Sequence, residues 1–94
     1  TWLALPDGQE EIAPAFEAMT DLPVITAKGA KAWVIMGELW GAKAPTTTYA
    51  QTIYAEIVLE AGGSVPLDIS ADERAVMLVN GDARVDGTTL EQYQ

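Results

Sequence analysis

The sequence predicts an all-β fold, an antiparallel sandwich or barrel, from three observations. Residues 52–60 alternate strictly: Ile53, Ala55, Ile57 and Leu59 fall on one side, Tyr54, Glu56, Val58 and Glu60 on the other. That period of two marks a strand with one buried face. Short apolar runs recur every ten or so residues, separated by turn pairs such as Asn80-Gly81 and Asp86-Gly87, the spacing of a sandwich or barrel. Helical spacing is found at Ile12, Phe16 and Met19, where Pro14 limits it to one short turn.

Taken in order, Trp2-Leu3-Ala4-Leu5 reads as a strand closed by the turn signal Pro6-Asp7-Gly8. The helical turn begins at Pro14, where a missing N–H does no harm, and Asp21-Leu22-Pro23 ends it. Val24-Ile25-Thr26 is a brief strand before the Lys28-Gly29 turn. Ala32 to Met36 is a continuous apolar run halted by Gly37, a buried strand with Trp33 in the core. Residues 42–48 form a loop in which Pro45 precedes three threonines. Gly62-Gly63 breaks the strand of residues 52–60. Ala75 to Val79 is a further strand running into Asn80-Gly81, a pair suited to a two-residue hairpin because both residues tolerate positive φ. Asp82 to Val85 returns, Asp86-Gly87 turns again, and Thr88-Thr89-Leu90 begins one more strand. Both ends read as cut, so the sequence predicts a piece of a longer protein.

Composition excludes several chemistries. The chain has 94 residues, 14 acidic and 5 basic side chains, no His and no Cys, for a formal charge of -9. One domain is the ceiling, and at 49% hydrophobic residues so short a chain buries only about 60–65% of its unfolded surface. There is no imidazole base, no thiolate nucleophile, no disulfide frame and no donor set for thiolate zinc or His-rich iron sites. Lys28, Lys31, Lys43, Arg74 and Arg84 are scattered singly among acids, a poor match to a phosphate backbone. No apolar run reaches the roughly 20 residues of a membrane-spanning helix. A cytoplasmic protein with an acidic surface is the expectation, with neither nucleic acid nor membrane as a partner.

Candidate sites carry a structural reading beside each functional one. Asn80, Asp82 and Asp86 offer oxygen ligands, but their spacing departs from a calcium loop and hairpin chemistry accounts for them. Glu10, Glu11 and Glu17 suggest paired carboxylates, against a solvated acidic face near a helix start. Gly62-Gly63-Ser64 has neither the following lysine nor the helix of a phosphate loop. Trp40, between Leu39 and Gly41, lies where a strand enters a loop and reads equally as a packing residue or as an exposed contact.

Several segments resemble one family. Trp2-Leu3-Ala4-Leu5-Pro6 looks like the strand that joins the two halves of pirin proteins, and Ala13-Pro14-Ala15-Phe16 resembles their linker. Gly37-Glu38-Leu39-Trp40-Gly41 with Ala44-Pro45 is similar to their "GE..G..SP" signature, with Ala44 where Ser is common. Residues 53–59 followed by Glu60-Ala61-Gly62-Gly63 resemble the strand and turn that come next, and residues 79–87 resemble a cupin hairpin.

The resemblance implies a cupin-type antiparallel β-sandwich or barrel, incomplete here and part of a bicupin. Residues 1–22 would be the domain-joining strand and linker, and residues 23–94 a truncated C-terminal cupin domain. Iron would sit in an N-terminal domain of the parent, upstream of Thr1, with no catalytic, cofactor or metal residue in this chain. The parent would be quercetin 2,3-dioxygenase-like or a transcription coregulator. Gly37, Glu38, Trp40 and Pro45 are the candidate interface, and the N-terminal cupin of the same parent is the expected partner. Two alternatives stand beside this non-catalytic packing role. One is an interaction module, including a homodimer, that pairs through exposed strand edges. The other is a metal-free small-molecule-binding barrel.

Overall fold

A computed structural model of the chain describes residues 2–67 and 70–94; Thr1, first residue of the predicted joining segment, lies outside the described residues. Seven strands appear among them and no helix: β1 (Val24–Ala27), β2 (Ala30–Met36), β3 (Glu38–Leu39), β4 (Ala42–Lys43), β5 (Tyr54–Leu59), β6 (Arg84–Val85) and β7 (Thr88–Thr89). They form a three-stranded sheet in the order β1-β2-β5 and two small hairpins, β3-β4 and β6-β7. Every ladder is antiparallel. The all-β class holds, in the open form of a partial cupin-type structure rather than a closed barrel.

The sheet follows from alternation along β2. Ala30, Ala32 and Val34 point to one face and are buried. Their cross-strand partners Ala27 and Ile25 on β1, and Leu59, Ile57 and Ala55 on β5, share that face. Leu39 and Ala44 complete the buried cluster, with Ile25, Trp40, Ala42, Ala55 and Ile57 packed against it. Val34 is the largest fully buried side chain, so the core is small and rich in alanine. Between Val34 and Met36 the register slips by one residue, leaving Ile35 as a bulge. The Thr46 hydroxyl donates to the Ile35 carbonyl at 2.7 Å and anchors the following loop to it.

Several expectations from the sequence are corrected. Trp33 is not in the core: it alternates with Ala32 and Val34, so it sits half-buried on the opposite face, where the Lys31 ammonium lies 5.0 Å from its ring centroid. Residues 2–5 are exposed and form no strand, since no strand lies beside them among the described residues. No helical turn forms at Pro14; the turns lie earlier, where Gln9 N–H donates to the Pro6 carbonyl and Ile12 N–H to the Gln9 carbonyl. With Ile12, Phe16 and Met19 all exposed, no packing rewards a helix there.

Residues 42–48 are not wholly loop, since Ala42 and Lys43 pair with β3. Asn80-Gly81 does not close a hairpin between residues 75–79 and 82–85. Leu78 instead makes an isolated parallel bridge to Gln92, reinforced by Tyr93 N–H on the Leu78 carbonyl and by Gln92 Nε2 on the Val79 carbonyl. The hairpin forms one turn later, at Asp86-Gly87, between β6 and β7.

The molecule is extended, measuring 46 × 26 × 23 Å with a radius of gyration of 15.0 Å; a compact domain of this length has about 12 Å. Its accessible surface is 7838 Å², against about 5,200 Å² for a compact monomer of this mass.

Candidate functional site

The segment Gly37 to Pro45 is built from the β3-β4 hairpin. Its turn, Trp40-Gly41, has both residues at positive φ, 49° and 82°. This is the geometry that suits a two-residue hairpin, but the position normally goes to Asn, Asp or Gly. A bulky residue there is a true outlier, held at a backbone strain of about 1–3 kcal/mol. What holds Trp40 is its side chain. The indole packs against the buried cluster, and Nε1 donates to the Pro66 carbonyl at 3.3 Å.

Gly37 is fixed by close approach. A Cβ on it would lie 2.0 Å from the Thr52 carbonyl oxygen, and the residue sits at φ 80°. Its carbonyl accepts from Ala44 N–H at 2.8 Å, which closes the base of the hairpin. Glu38 faces Lys43 across the ladder, both exposed.

Two open grooves flank the hairpin. The larger, about 550 Å³, is lined by Gly37, Glu38 and Trp40 together with Lys43, the 48–53 segment and Pro66-Leu67. Pro45 is not part of it. It borders a second groove of about 480 Å³ with Leu22, Pro23, Val24 and Trp33. The structure thus brings together three of the four candidate interface residues and places the fourth beside Trp33. Sequence reasoning missed Trp33 as a groove residue; the signal was its position between Ala32 and Val34, which share the other face.

The acidic candidates are dispersed. Glu10 accepts from Gly8 N–H at 2.8 Å, while Glu17 accepts from both the backbone N–H and the hydroxyl of Thr47. Those two hydrogen bonds, the hydroxyl one foremost, hold the Glu17 carboxyl below its ordinary range. Asp86 occupies the left-handed turn position, φ 48°, as hairpin chemistry requires. Among the described residues no three acidic side chains gather where they would hold a metal ion, and the sequence has no His or Cys. Without imidazole or thiolate, the sequence lacks the donors that His-rich iron sites use. No helix among the described residues is long and apolar enough to cross a membrane.

Comparison with known proteins gives a consistent family. The chain is 38% identical over 96 aligned residues to a pirin-like protein of Caulobacter vibrioides, covering 99% of this chain and 33% of that protein. It is 30% identical over 87 residues to a protein of Pseudomonas aeruginosa carrying the provisional name quercetin 2,3-dioxygenase, covering 92% of this chain and 28% of that protein. No family model matches the chain. No solved structure matches it. The chain spans about a third of the length of the curated relatives it matches, and it belongs to the pirin family.

Proposed function

We propose that this chain is the joining segment and the first part of a C-terminal cupin half in a longer, bicupin pirin-family protein. Its role is structural: it packs against an N-terminal cupin of the same polypeptide and forms one wall of the cleft between them, without catalysing a reaction. Residues 1–22 join the halves, and residues 23–94 belong to the second. Iron and any quercetin-dioxygenase-like or coregulator activity reside in the remainder. The cytoplasm is the compartment this reading assigns, in keeping with an acidic surface and a chain free of Cys.

The observation that carries the reading is the excess of exposed surface. Its 7838 Å² exceeds the compact expectation by far more than one partner contributes to a standard protein interface, about 800 Å². Phe16, Trp2, Met77 and Val79 are among the exposed apolar side chains, and they need a neighbour to cover them. The test is iron(II) binding and flavonol turnover by the 94-residue chain alone, beside the intact mass of its gene product. The expected result is neither stoichiometric iron nor turnover, and a product about three times longer. An iron centre or turnover in this chain overturns the non-catalytic role; a gene product of only this length overturns the bicupin.

A second reading, strand-edge pairing with another chain, draws on the three-stranded sheet. β1 and β5 each have one edge without a strand partner among the described residues, and such edges recruit strands. Light scattering at high concentration decides it, since a strict monomer removes the self-pairing form.

A further inference from the structure

Asn80 is the only asparagine in the chain, and a glycine follows it. The pair closes no hairpin: the residues before it are held by Gln92 and Tyr93, and the β6-β7 hairpin forms one turn later. Asn80 and Gly81 lie outside every strand and are both exposed. Among the described residues no hydrogen bond holds the Asn80 amide or the Gly81 N–H. Gly81 sits at φ 86°, and a Cβ built on it would meet nothing within 4 Å.

We propose that Asn80-Gly81 is a self-modifying site, at which water converts the asparagine to aspartate and isoaspartate without an enzyme. The Gly81 backbone nitrogen attacks Asn80 Cγ and gives up its proton. The N–Cγ bond forms, the Cγ–Nδ2 bond breaks, and the amide nitrogen leaves as ammonia with that proton. Water then opens the resulting five-membered succinimide. Addition at Cγ yields aspartate; addition at the Asn80 carbonyl carbon yields isoaspartate, in which the main chain runs through Cβ and Cγ. The balance is one water consumed and one ammonia released. Because ring closure is intramolecular, it depends on whether the backbone can bring Gly81 N to about 3–3.5 Å from Cγ. Glycine has no side chain to obstruct that approach, and no ladder holds either residue in another geometry.

Two other pairs carry the related Asp-Gly sequence, and the structure guards both. Gly8 N–H donates to Glu10 Oε2 at 2.8 Å, which engages the nitrogen that would attack Asp7. Asp86-Gly87 is clamped between Val85 and Thr88, partners across β6 and β7. The product at Asn80 acts on the chain end. The neighbouring Val79 carbonyl accepts from Gln92 Nε2 at 2.8 Å, and the Leu78 carbonyl from Tyr93 N–H at 2.7 Å. An extra main-chain carbon beside them displaces this bridge, and the new carboxylate adds to a net charge already at -9.

The experiment incubates the intact gene product, folded and in parallel in urea, at neutral and mildly alkaline pH. Peptide mapping by mass spectrometry, with fragmentation that separates isoaspartate from aspartate, follows all three pairs. Loss of Asn80 in the folded protein is expected within about threefold of its rate in urea, as for a segment with no cost of local opening. It should be faster at the higher pH, with isoaspartate among the products. Isomerisation at Asp7 and Asp86 should be slowed at least about tenfold by folding. Asn80→Gln, which would have to close a larger ring, should abolish the change at this position. Tyr93 amide exchange should be faster in the isoaspartate form than in Asn80→Asp, which adds the charge without the carbon. Folding that protects Asn80 by about tenfold or more, a product without isoaspartate, or equal loss from Asn80→Gln overturns the self-modifying site. Equal Tyr93 exchange in the two acidic forms overturns its link to the chain end.

Discussion

Glu17 and Thr47, thirty residues apart in sequence, are joined by both oxygens of one carboxylate: Oε2 accepts the Thr47 backbone N–H at 2.9 Å and Oε1 accepts its hydroxyl. This contact pins the strandless N-terminal segment to the loop that follows the buried Ala44. It also ties that segment to the border of both grooves, since Pro45 lines one and Thr48 the other.

Glu17→Ala should therefore free the segment without unfolding the sheet. Amide exchange at Thr47 is expected to accelerate at least several-fold, while exchange within β2 stays unchanged. Native-state hydrogen exchange checks this. Because the Glu17 carboxyl is held low by Thr47, the tether is present above the ordinary carboxylate range. It is lost as pH falls through the depressed value, and Thr47 exchange, corrected for its intrinsic pH dependence, should follow that direction.

Trp40 sets a side-chain gain against a backbone strain. Trp40→Ala should destabilise by about 1–2 kcal/mol through lost burial. Trp40→Gly loses the same contacts but relaxes a φ of 49°, so it should be the milder change by about 1 kcal/mol. Urea midpoints of the two variants decide the order, and equal midpoints would remove the strain argument.

Gly37 and Gly41 share a positive φ but differ in surroundings. A Cβ at Gly37 meets the Thr52 carbonyl oxygen at 2.0 Å, whereas at Gly41 nothing lies within 4 Å. Gly37→Ala should cost about 3 kcal/mol or more, since backbone must move to admit it. Gly41→Ala should cost about 1 kcal/mol from conformation alone. Denaturant melts of both variants test the contrast.

Lys31→Met keeps the aliphatic stem over Trp33 and removes the ammonium 5.0 Å from the ring. A loss of about 0.5–1 kcal/mol is expected, together with a shift in tryptophan emission. An unchanged spectrum and melt would show that the cation contributes nothing on this open face.

How much of this was legible in the sequence depended on how local the cause was. The alternation of residues 54–59 and the apolar run through Val34 gave β5 and β2, because period two survives whatever the partner is. Asp86-Gly87 closed a hairpin as its chemistry demands. Asn80-Gly81 has the same chemistry but failed to close one, because the preceding residues are held by Gln92 and Tyr93 from the chain end. That competition is long-range and leaves no local mark. Trp33 was misplaced for a different reason: hydrophobicity suggested the core, while the pleat put small alanines there. Of the candidate interface, Gly37, Glu38 and Trp40 were found together because they are adjacent in sequence. Pro45 diverged because the turn at Trp40-Gly41 reverses the chain before it.

The bulge at Ile35 has one more effect. Ahead of it the even-numbered residues Ala30, Ala32 and Val34 face inward, and beyond it the odd-numbered Leu39 does. The extra residue thus moves the inward position on β3 from an even to an odd number, and Ala42, the cross-strand partner of Leu39, follows it. Removing a single residue at that point would turn Leu39 toward water and leave the hairpin inside out, so this short stretch tolerates exchange of side chains far better than a change in their number.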